Sequence, residues 1–160
     1  HGGSQEAGRR ASTLNVPAIV GFGHAAVLAK AEMRAESAQT TALRERLIRG
    51  LETAVPGLSF NGHPVLRLPG VVNVSIQGLE GSILLAEIGR LGIACSTGSS
   101  CRAPDAGPSH VLVAVGAAAP RTGSLRFSFG RSTSAADIDY LIKVFPVAVH
   151  RARSLSDFLD

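Results

Sequence analysis

The feature that most constrains the fold of this chain is a long stretch of helical periodicity in its first third. From Pro17 to Leu51 the composition is rich in Ala, Leu, Glu and Arg. Apolar residues recur there at near-helical spacing, which predicts one long helix. The residues that carry this spacing are Ala25, Leu28, Ala29, Met33, Leu43, Leu47 and Leu51. Gly50 and Pro56 are expected to mark the end of the helix.

The rest of the chain alternates between short strand-like and helical segments. Strands are predicted at residues 57–62, 71–78, 93–95 and 124–130. The last is the clearest because Leu125, Phe127 and Phe129 alternate with other residues. Helices are predicted at residues 79–92, 108–118 and 132–159. The expected fold is therefore α+β: a few mostly antiparallel strands, covered by helices and preceded by the long helix.

Size and composition bound the possible functions. The 160 residues, 45% of them hydrophobic, suffice to bury the core of one domain. The net charge is +4, but one Tyr, no Trp and no interleaving of basic with aromatic residues do not favour nucleic-acid binding. Two cysteines without a secretory leader favour a reducing, cytoplasmic location. No apolar run approaches the ~20 residues of a membrane span, so no membrane partner is expected.

The stretch GIACSTGSSCRAPDAGPSH, residues 92–110, contains both cysteines of the chain. Cys101 follows small polar residues and precedes Arg102, a setting that suits a reactive thiolate. From these local features alone, a nucleophile and a solvent-facing thiol without a role both remain open. Cys95 follows a short apolar segment and is expected to be structural. The six-residue spacing, without a second ligand pair, does not favour zinc, and no metal is expected.

Two further groups of residues are suited to anions. Arg126 falls on the strand face opposite Leu125 and Phe127, and its guanidinium could bind a carboxylate or form a structural ion pair. Near the start of the chain, Arg10, Ser12 and Thr13 precede the long helix. Cations and hydroxyls there suit a phosphate, although Ser and Thr before a helix commonly act only as caps.

Taken together, these segments resemble cysteine desulfurases, the pyridoxal-phosphate enzymes that take sulfur from cysteine. The matching stretches are GGSQEAGRRASTLNVPAIVGFG, NGHPVLRLPGVVNVSIQGLEGSILL, GIACSTGSSC with PSHVL, and SLRFSFGRSTSAADID. They occur in the expected order and cover nearly the whole chain. The resemblance implies the small C-terminal domain of a fold-type I pyridoxal-phosphate transferase at residues 17–160. Residues 1–16 would remain from the large domain and its dimer-crossing loop.

The resemblance also implies roles for individual residues. Cys101, which ends STGSSC, matches the nucleophile that accepts sulfur as a persulfide. Arg126 of LRFS matches the arginine that binds the carboxylate of the substrate cysteine. Thr13, with Ser12 beside it, matches the segment that reaches the cofactor phosphate of the partner subunit in a homodimer, and Arg10 belongs to the same motif. The sulfur would pass to an acceptor protein for iron–sulfur cluster, thio-cofactor or tRNA biosynthesis.

The sequence departs from the family pattern in two respects. The stretch RAPDAGPSH lacks the Glu that commonly precedes Pro-Ser in the family. Neither Lys30 nor Lys143 matches the His-Lys motif whose lysine forms the Schiff base with pyridoxal 5′-phosphate. The chain is therefore expected to be incomplete, and inactive alone, without a lysine-bearing domain. A stand-alone persulfide carrier and part of a selenocysteine lyase are the alternatives.

Overall fold

The computed structural model describes residues 2–97, 109–117 and 122–156. Its elements follow the order α1, β1, β2, α2, α3, β3, α4. Their bounds are α1 Val16–Ala54, β1 Leu58–Phe60, β2 Val71–Gln77, α2 Gly81–Arg90, α3 His110–Ala114, β3 Thr122–Ser128 and α4 Ala135–Ser156. The predicted α+β architecture, with a long first helix and antiparallel strands, is confirmed.

The described chain separates into two compact units, His1–Ala35 and Glu36–Asp160, and the division falls inside α1. The predicted boundary after residue 16 stays a prediction. In the first unit, Asn15 caps α1, since its Oδ1 accepts a hydrogen bond from the Ala18 backbone at 3.2 Å. Pro17 lies in the first turn, where a missing N–H costs nothing.

The second unit contains a three-stranded antiparallel sheet in the order β1–β2–β3. β2 is central, and its Val72, Val74 and Ile76 are fully buried. Because side chains alternate across a strand, the residues between them face the other side of the sheet. One face of the sheet is therefore apolar, and the opposite face carries mainly polar residues.

The core of the second unit joins the apolar sheet face to the helices. Phe127 of β3 meets Phe145 of α4 edge-on, with ring centroids 5.8 Å apart. Gly50 permits a close approach of α1 and α4, since a Cβ at this position would lie 2.4 Å from Ile142 Cδ1. The buried apolar residues are Leu43, Leu47, Leu51, Val55, Val72, Val74, Ile76, Leu79, Leu84, Ile88, Leu125, Phe127, Ile138, Leu141, Phe145, Ala148, Val149 and Ala152.

Two expectations from the sequence need correction, and one finding bears on a third. Gly50 lies inside α1 rather than at its end, because its role is to admit Ile142. Residues 93–95 form no strand, since the backbone pairs with β3 only from Ser96. By length and composition α1 could cross a membrane, with mean hydropathy 1.2 over 18 residues. Val, Ile, Leu and Ala raise this mean, while His24, Lys30 and Glu32 interrupt the apolar run, and length and composition alone assign no membrane span.

Candidate functional site

Arg126 lies in the middle of β3, on the sheet face opposite the buried apolar side chains. Its neighbours Leu125 and Phe127 are 0% and 3% exposed, whereas the Arg126 side chain is exposed. The alternation expected from the sequence is therefore confirmed. Two buried apolar neighbours fix the strand against the core, and the guanidinium must then face solvent. Its role in binding a substrate stays a prediction.

The backbone of Arg126 pairs with the chain segment that leads to Cys101. Ser96 N donates a hydrogen bond to Arg126 O at 3.1 Å, and Arg126 N donates to Ser96 O at 2.6 Å. This antiparallel bridge lies on the edge of β3 that faces away from β2. The segment STGSSC therefore begins directly beside Arg126. Cys101 itself lies outside the described residues.

On its other side, Arg126 pairs with Asn73 of β2. The carboxamide of Asn73 belongs to a small polar cluster on the same sheet face. Asn61 Nδ2 donates to Asn73 Oδ1 and to Ser75 Oγ, both at 2.6 Å. Ser75 is only 5% exposed, so the cluster is partly shielded from solvent. Asn73 was not predicted as a site residue. The alternation of polar and apolar residues in VVNVSIQ does indicate that Asn73 lies on the polar face of the sheet.

Arg10, Ser12 and Thr13 lie together in the first compact unit. Ser12 and Thr13 are exposed, and Ser12 has a positive φ of 77°. Arg10 Nη1 donates hydrogen bonds to the backbone oxygens of Ala11 and Ser12. Arg10 Nη2 also lies 3.7 Å from Glu6 Oε1. The guanidinium of Arg10 therefore holds the local turn, while the two hydroxyls remain accessible to an anion.

Cys95 has the environment of a structural thiol. Its side chain is half-buried and packs against the apolar core of the second unit. Burial raises the pKa of Cys95 to about 11, because desolvation disfavours the thiolate. Almost all of this residue is therefore protonated at neutral pH, and a protonated thiol is a poor nucleophile.

The described part of the chain contains two lysines, both on exposed helical positions. Lys30 lies on α1 and Lys143 on α4. No cluster of three or more His, Cys, Asp or Glu side chains with metal-binding geometry occurs among residues 2–97, 109–117 and 122–156. His63, one of the histidines in the sequence, accepts hydrogen bonds on Nδ1 from the Val65 and Leu66 backbones. This histidine therefore stabilises a turn.

Comparison with known proteins identifies many relatives of this chain. It is 45% identical over 159 residues to a protein named cysteine desulfurase IscS from Methanosarcina thermophila, covering 98% of this chain and 39% of the relative. A cysteine desulfurase IscS from Clostridium botulinum is 43% identical, with 98% and 40% covered. The chain therefore spans about two-fifths of the length of the curated relatives it matches.

Solved structures likewise match nearly all of this chain but only about two-fifths of their own length. An X-ray structure of a NifS-like protein from Rickettsia africae matches with a TM-score of 0.78 and 27% identity, covering 93% of this chain and 39% of the other. A second NifS-like protein matches with a TM-score of 0.78 and 30% identity, covering 94% and 38%. The sequence profile described as Aminotransferase class-V matches residues 3–141. Because this match covers most of the chain, the protein belongs to the aminotransferase class-V family.

Proposed function

We propose that this chain is part of a pyridoxal-phosphate-dependent cysteine desulfurase, in which Cys101 accepts sulfur from L-cysteine and Arg126 binds the carboxylate of that substrate. The backbone pairing of Ser96 with Arg126 carries this proposal. It fastens the segment that bears the thiol to the residue that would hold the substrate. The names of the relatives support the same activity.

Arg126 is suited to bind a carboxylate. A guanidinium presents parallel N–H groups that match the two carboxylate oxygens. Within the described residues, no carboxylate lies within ion-pair distance of Arg126. Its position on an exposed polar face leaves the guanidinium accessible to a small amino acid. Binding through the carboxylate would orient the substrate and leave its thiol free to meet Cys101.

Chain length allows Cys101 to reach a substrate on Arg126. Five peptide units separate Ser96 from Cys101. An extended chain of five residues spans at most roughly 17 Å, and any bend brings the ends closer. L-Cysteine bound at Arg126 lies well within this radius of the Ser96 anchor. The residues between Ser96 and Cys101, from Thr97 to Ser100, are all small.

The chemical step transfers one sulfur atom. The Cys101 thiolate attacks the sulfur of L-cysteine, so that a sulfur–sulfur bond forms and the carbon–sulfur bond of the substrate breaks. The electron pair of the broken bond stays with the substrate carbon, which takes up a proton. L-Alanine leaves, and Cys101 carries a persulfide. Pyridoxal phosphate, when bound, supplies the electron sink that makes the substrate carbons reactive.

The residues of the first unit fit one end of that cofactor. The exposed hydroxyls of Ser12 and Thr13 are donors of the kind that bind a phosphate ester. Arg10 supports the same turn through its hydrogen bonds to backbone oxygens. We propose that the cofactor lysine belongs to the part of the relatives that this chain does not match. We also propose a homodimer, an acceptor protein for the sulfur and a cytoplasmic location, on the basis of the resemblance.

A chimeric enzyme tests this function. The chain replaces its matching two-fifths in the Methanosarcina thermophila relative, and alanine and sulfide release from L-cysteine are measured under reductant. We expect the chimera to be active and Cys101→Ser to abolish persulfide formation, because a serine hydroxyl is almost un-ionised at neutral pH. The matched control, Cys95→Ala, should retain most of the activity. An active Cys101→Ser chimera with an inactive Cys95→Ala chimera would refute the assignment of the nucleophile.

Arg126→Lys is the second arm of this experiment. An ammonium group keeps the charge of Arg126 but lacks the two parallel hydrogen bonds of the guanidinium. We therefore expect a higher KM for L-cysteine in the chimera. An unchanged KM would show that the substrate carboxylate binds elsewhere.

A further inference from the structure

The exposed face of the sheet holds a second group that is suited to the ligand of Arg126. Asn73 of β2 lies directly opposite Arg126 of β3 in the antiparallel register. Residues paired in this way project from the same face, with Cβ atoms about 4.5–5.5 Å apart. The Asn73 carboxamide and the Arg126 guanidinium are therefore neighbours on one surface.

The carboxamide of Asn73 is held in a defined orientation. Its Oδ1 accepts a hydrogen bond from Asn61 Nδ2 at 2.6 Å, and the same nitrogen donates to Ser75 Oγ at 2.6 Å. The backbone adds a third link, because Asn61 N donates to Asn73 O at 2.9 Å. Asn61 follows β1, which lies on the side of β2 opposite β3. With its oxygen directed towards Asn61, Asn73 has its amide nitrogen directed away from β1.

That nitrogen is a donor available for a ligand. Within the described part of the chain, Asn73 Nδ2 makes no hydrogen bond, although its oxygen is engaged. Asn73 is partly buried, so few water molecules would compete with a ligand oxygen for the hydrogen bond from Nδ2. A fixed neutral donor beside a guanidinium suits an anion with several lone pairs. A carboxylate can accept the fork of an arginine and one further N–H.

We propose that Asn73 is a second binding group for the α-carboxylate of the amino-acid substrate, acting beside Arg126. This inference rests on the proposed function, in which Arg126 binds that carboxylate. Asn61 and Ser75 are positioning residues, since they hold the Asn73 oxygen and so orient its N–H group. The pair of donors selects for amino acids over amines, because an amine without a carboxylate leaves both donors without a partner.

The test uses the 160-residue chain itself and measures binding by NMR. The side-chain resonances of Asn73 Nδ2 and Arg126 Nε are followed during titration with L-cysteine under reductant. Cysteamine, which is L-cysteine without the carboxylate, is the control ligand. We expect L-cysteine to shift both resonances and cysteamine to shift neither. A shift at Arg126 without one at Asn73 would overturn this assignment and leave the carboxylate site at Arg126 intact. If neither resonance shifts, both the role of Asn73 and the carboxylate site at Arg126 are overturned.

Asn73→Asp provides a second readout. The aspartate oxygen still accepts from Asn61, while the donor is lost and a negative charge is added beside Arg126. The matched control is Gln77→Glu, the same chemical change on the same strand and face, about 13 Å further along. We expect Asn73→Asp to weaken L-cysteine binding at least about tenfold, and Gln77→Glu to change it less than about twofold. Equal losses in the two variants, or none in Asn73→Asp, would refute the proposal.

Discussion

Ser96 and Arg126 hold each other through both of their backbone polar groups, as an isolated bridge at the edge of β3. The bridge ties residues 93–97, which contain no strand, to the centre of β3, which is fixed by the buried Leu125 and Phe127. The bridge therefore fixes the backbone at Ser96 directly beside Arg126.

Ser96→Pro should loosen this anchor. Proline has no backbone N–H, so the hydrogen bond to Arg126 O is lost and Arg126 O remains unpaired. We expect the free energy of unfolding to fall by about 1–3 kcal/mol. Ser96→Ala keeps both backbone groups and is the matched control for the loss of the side chain. Urea denaturation of both variants measures the difference, and equal stabilities would contradict a structural role for the bridge.

Gly50→Ala should destabilise the second unit. The added Cβ would lie 2.4, 2.7 and 2.9 Å from three side-chain carbons of Ile142, so the whole isoleucine must move. We expect a cost of about 1–3 kcal/mol from overpacking, which exceeds the gain of about 1 kcal/mol for Ala over Gly in a helix.

Gly89 of α2 is the control for Gly50, because its added Cβ would meet nothing within 4 Å. Gly89→Ala should therefore stabilise the chain by roughly 0.5–1 kcal/mol. Ile142→Ala in the Gly50→Ala background should remove the clash and produce a non-additive double-mutant cycle. Thermal unfolding of Gly50→Ala, Ile142→Ala, their double variant and Gly89→Ala measures these effects, and destabilisation of similar size in the two single glycine variants would argue against the clash.

Cys95 should resist alkylation in the folded chain. With its pKa raised to about 11, only about one molecule in ten thousand carries the thiolate at pH 7. Iodoacetamide labelling followed by peptide mass spectrometry should show slow reaction at Cys95 and faster reaction at Cys101. In urea both thiols should react at similar rates. Rapid labelling of folded Cys95 at pH 7 would contradict the shielding inferred from its burial.

The same thiol should make stability depend on alkaline pH. The folded pKa of Cys95 lies above its unfolded value, so the stabilising contribution is complete below about pH 9. It is lost as the pH rises through the folded pKa near 11. We expect the free energy of unfolding to depend less on pH in Cys95→Ala than in the wild type between pH 9 and about pH 11. Urea denaturation at several pH values measures this dependence. Parallel curves would contradict the shift.

Asp137 should contribute to stability in acid. Ser134 N and Oγ donate to Asp137 Oδ2 at 2.8 and 2.7 Å, and these hydrogen bonds lower the pKa of Asp137. Its contribution is therefore present above the ordinary aspartate pKa of about 3.9 and is lost as the pH falls through the lowered value. Asp137→Asn should flatten the acid limb of the stability profile. If urea denaturation shows the same acid dependence of stability in Asp137→Asn as in the wild type, the hydrogen bonds from Ser134 do not contribute in this way.

Local patterns predicted much of the fold. The alternation of Leu125, Arg126 and Phe127 gave the correct face for each, because a strand has a fixed period of two. Periodicity in α1 did not separate the buried Leu47 from the exposed Met33. Both lie at helical spacing, and only tertiary contacts determine which half of a helix gains a partner.

The candidate site was only partly accessible from the sequence. Arg126 came from its match to a family motif, whereas Asn73 depended on the register between β2 and β3. That register joins distant segments of the chain and is not visible in local periodicity. Residues 93–95 were predicted as a strand because their composition fits one. The backbone pairs with β3 only at Ser96, and local composition does not show where such pairing occurs.

The strand order β1–β2–β3 also sets an order of assembly. β1 and β2 are close in the chain and can pair early, since little loop entropy opposes their contact. β3 must return across α2 and α3 before it can join β2, which makes its docking a slow, non-local event. Asn73 and Arg126 come together only at that event. A newly made or partly unfolded chain would therefore lack the proposed pair of carboxylate donors until β3 has docked.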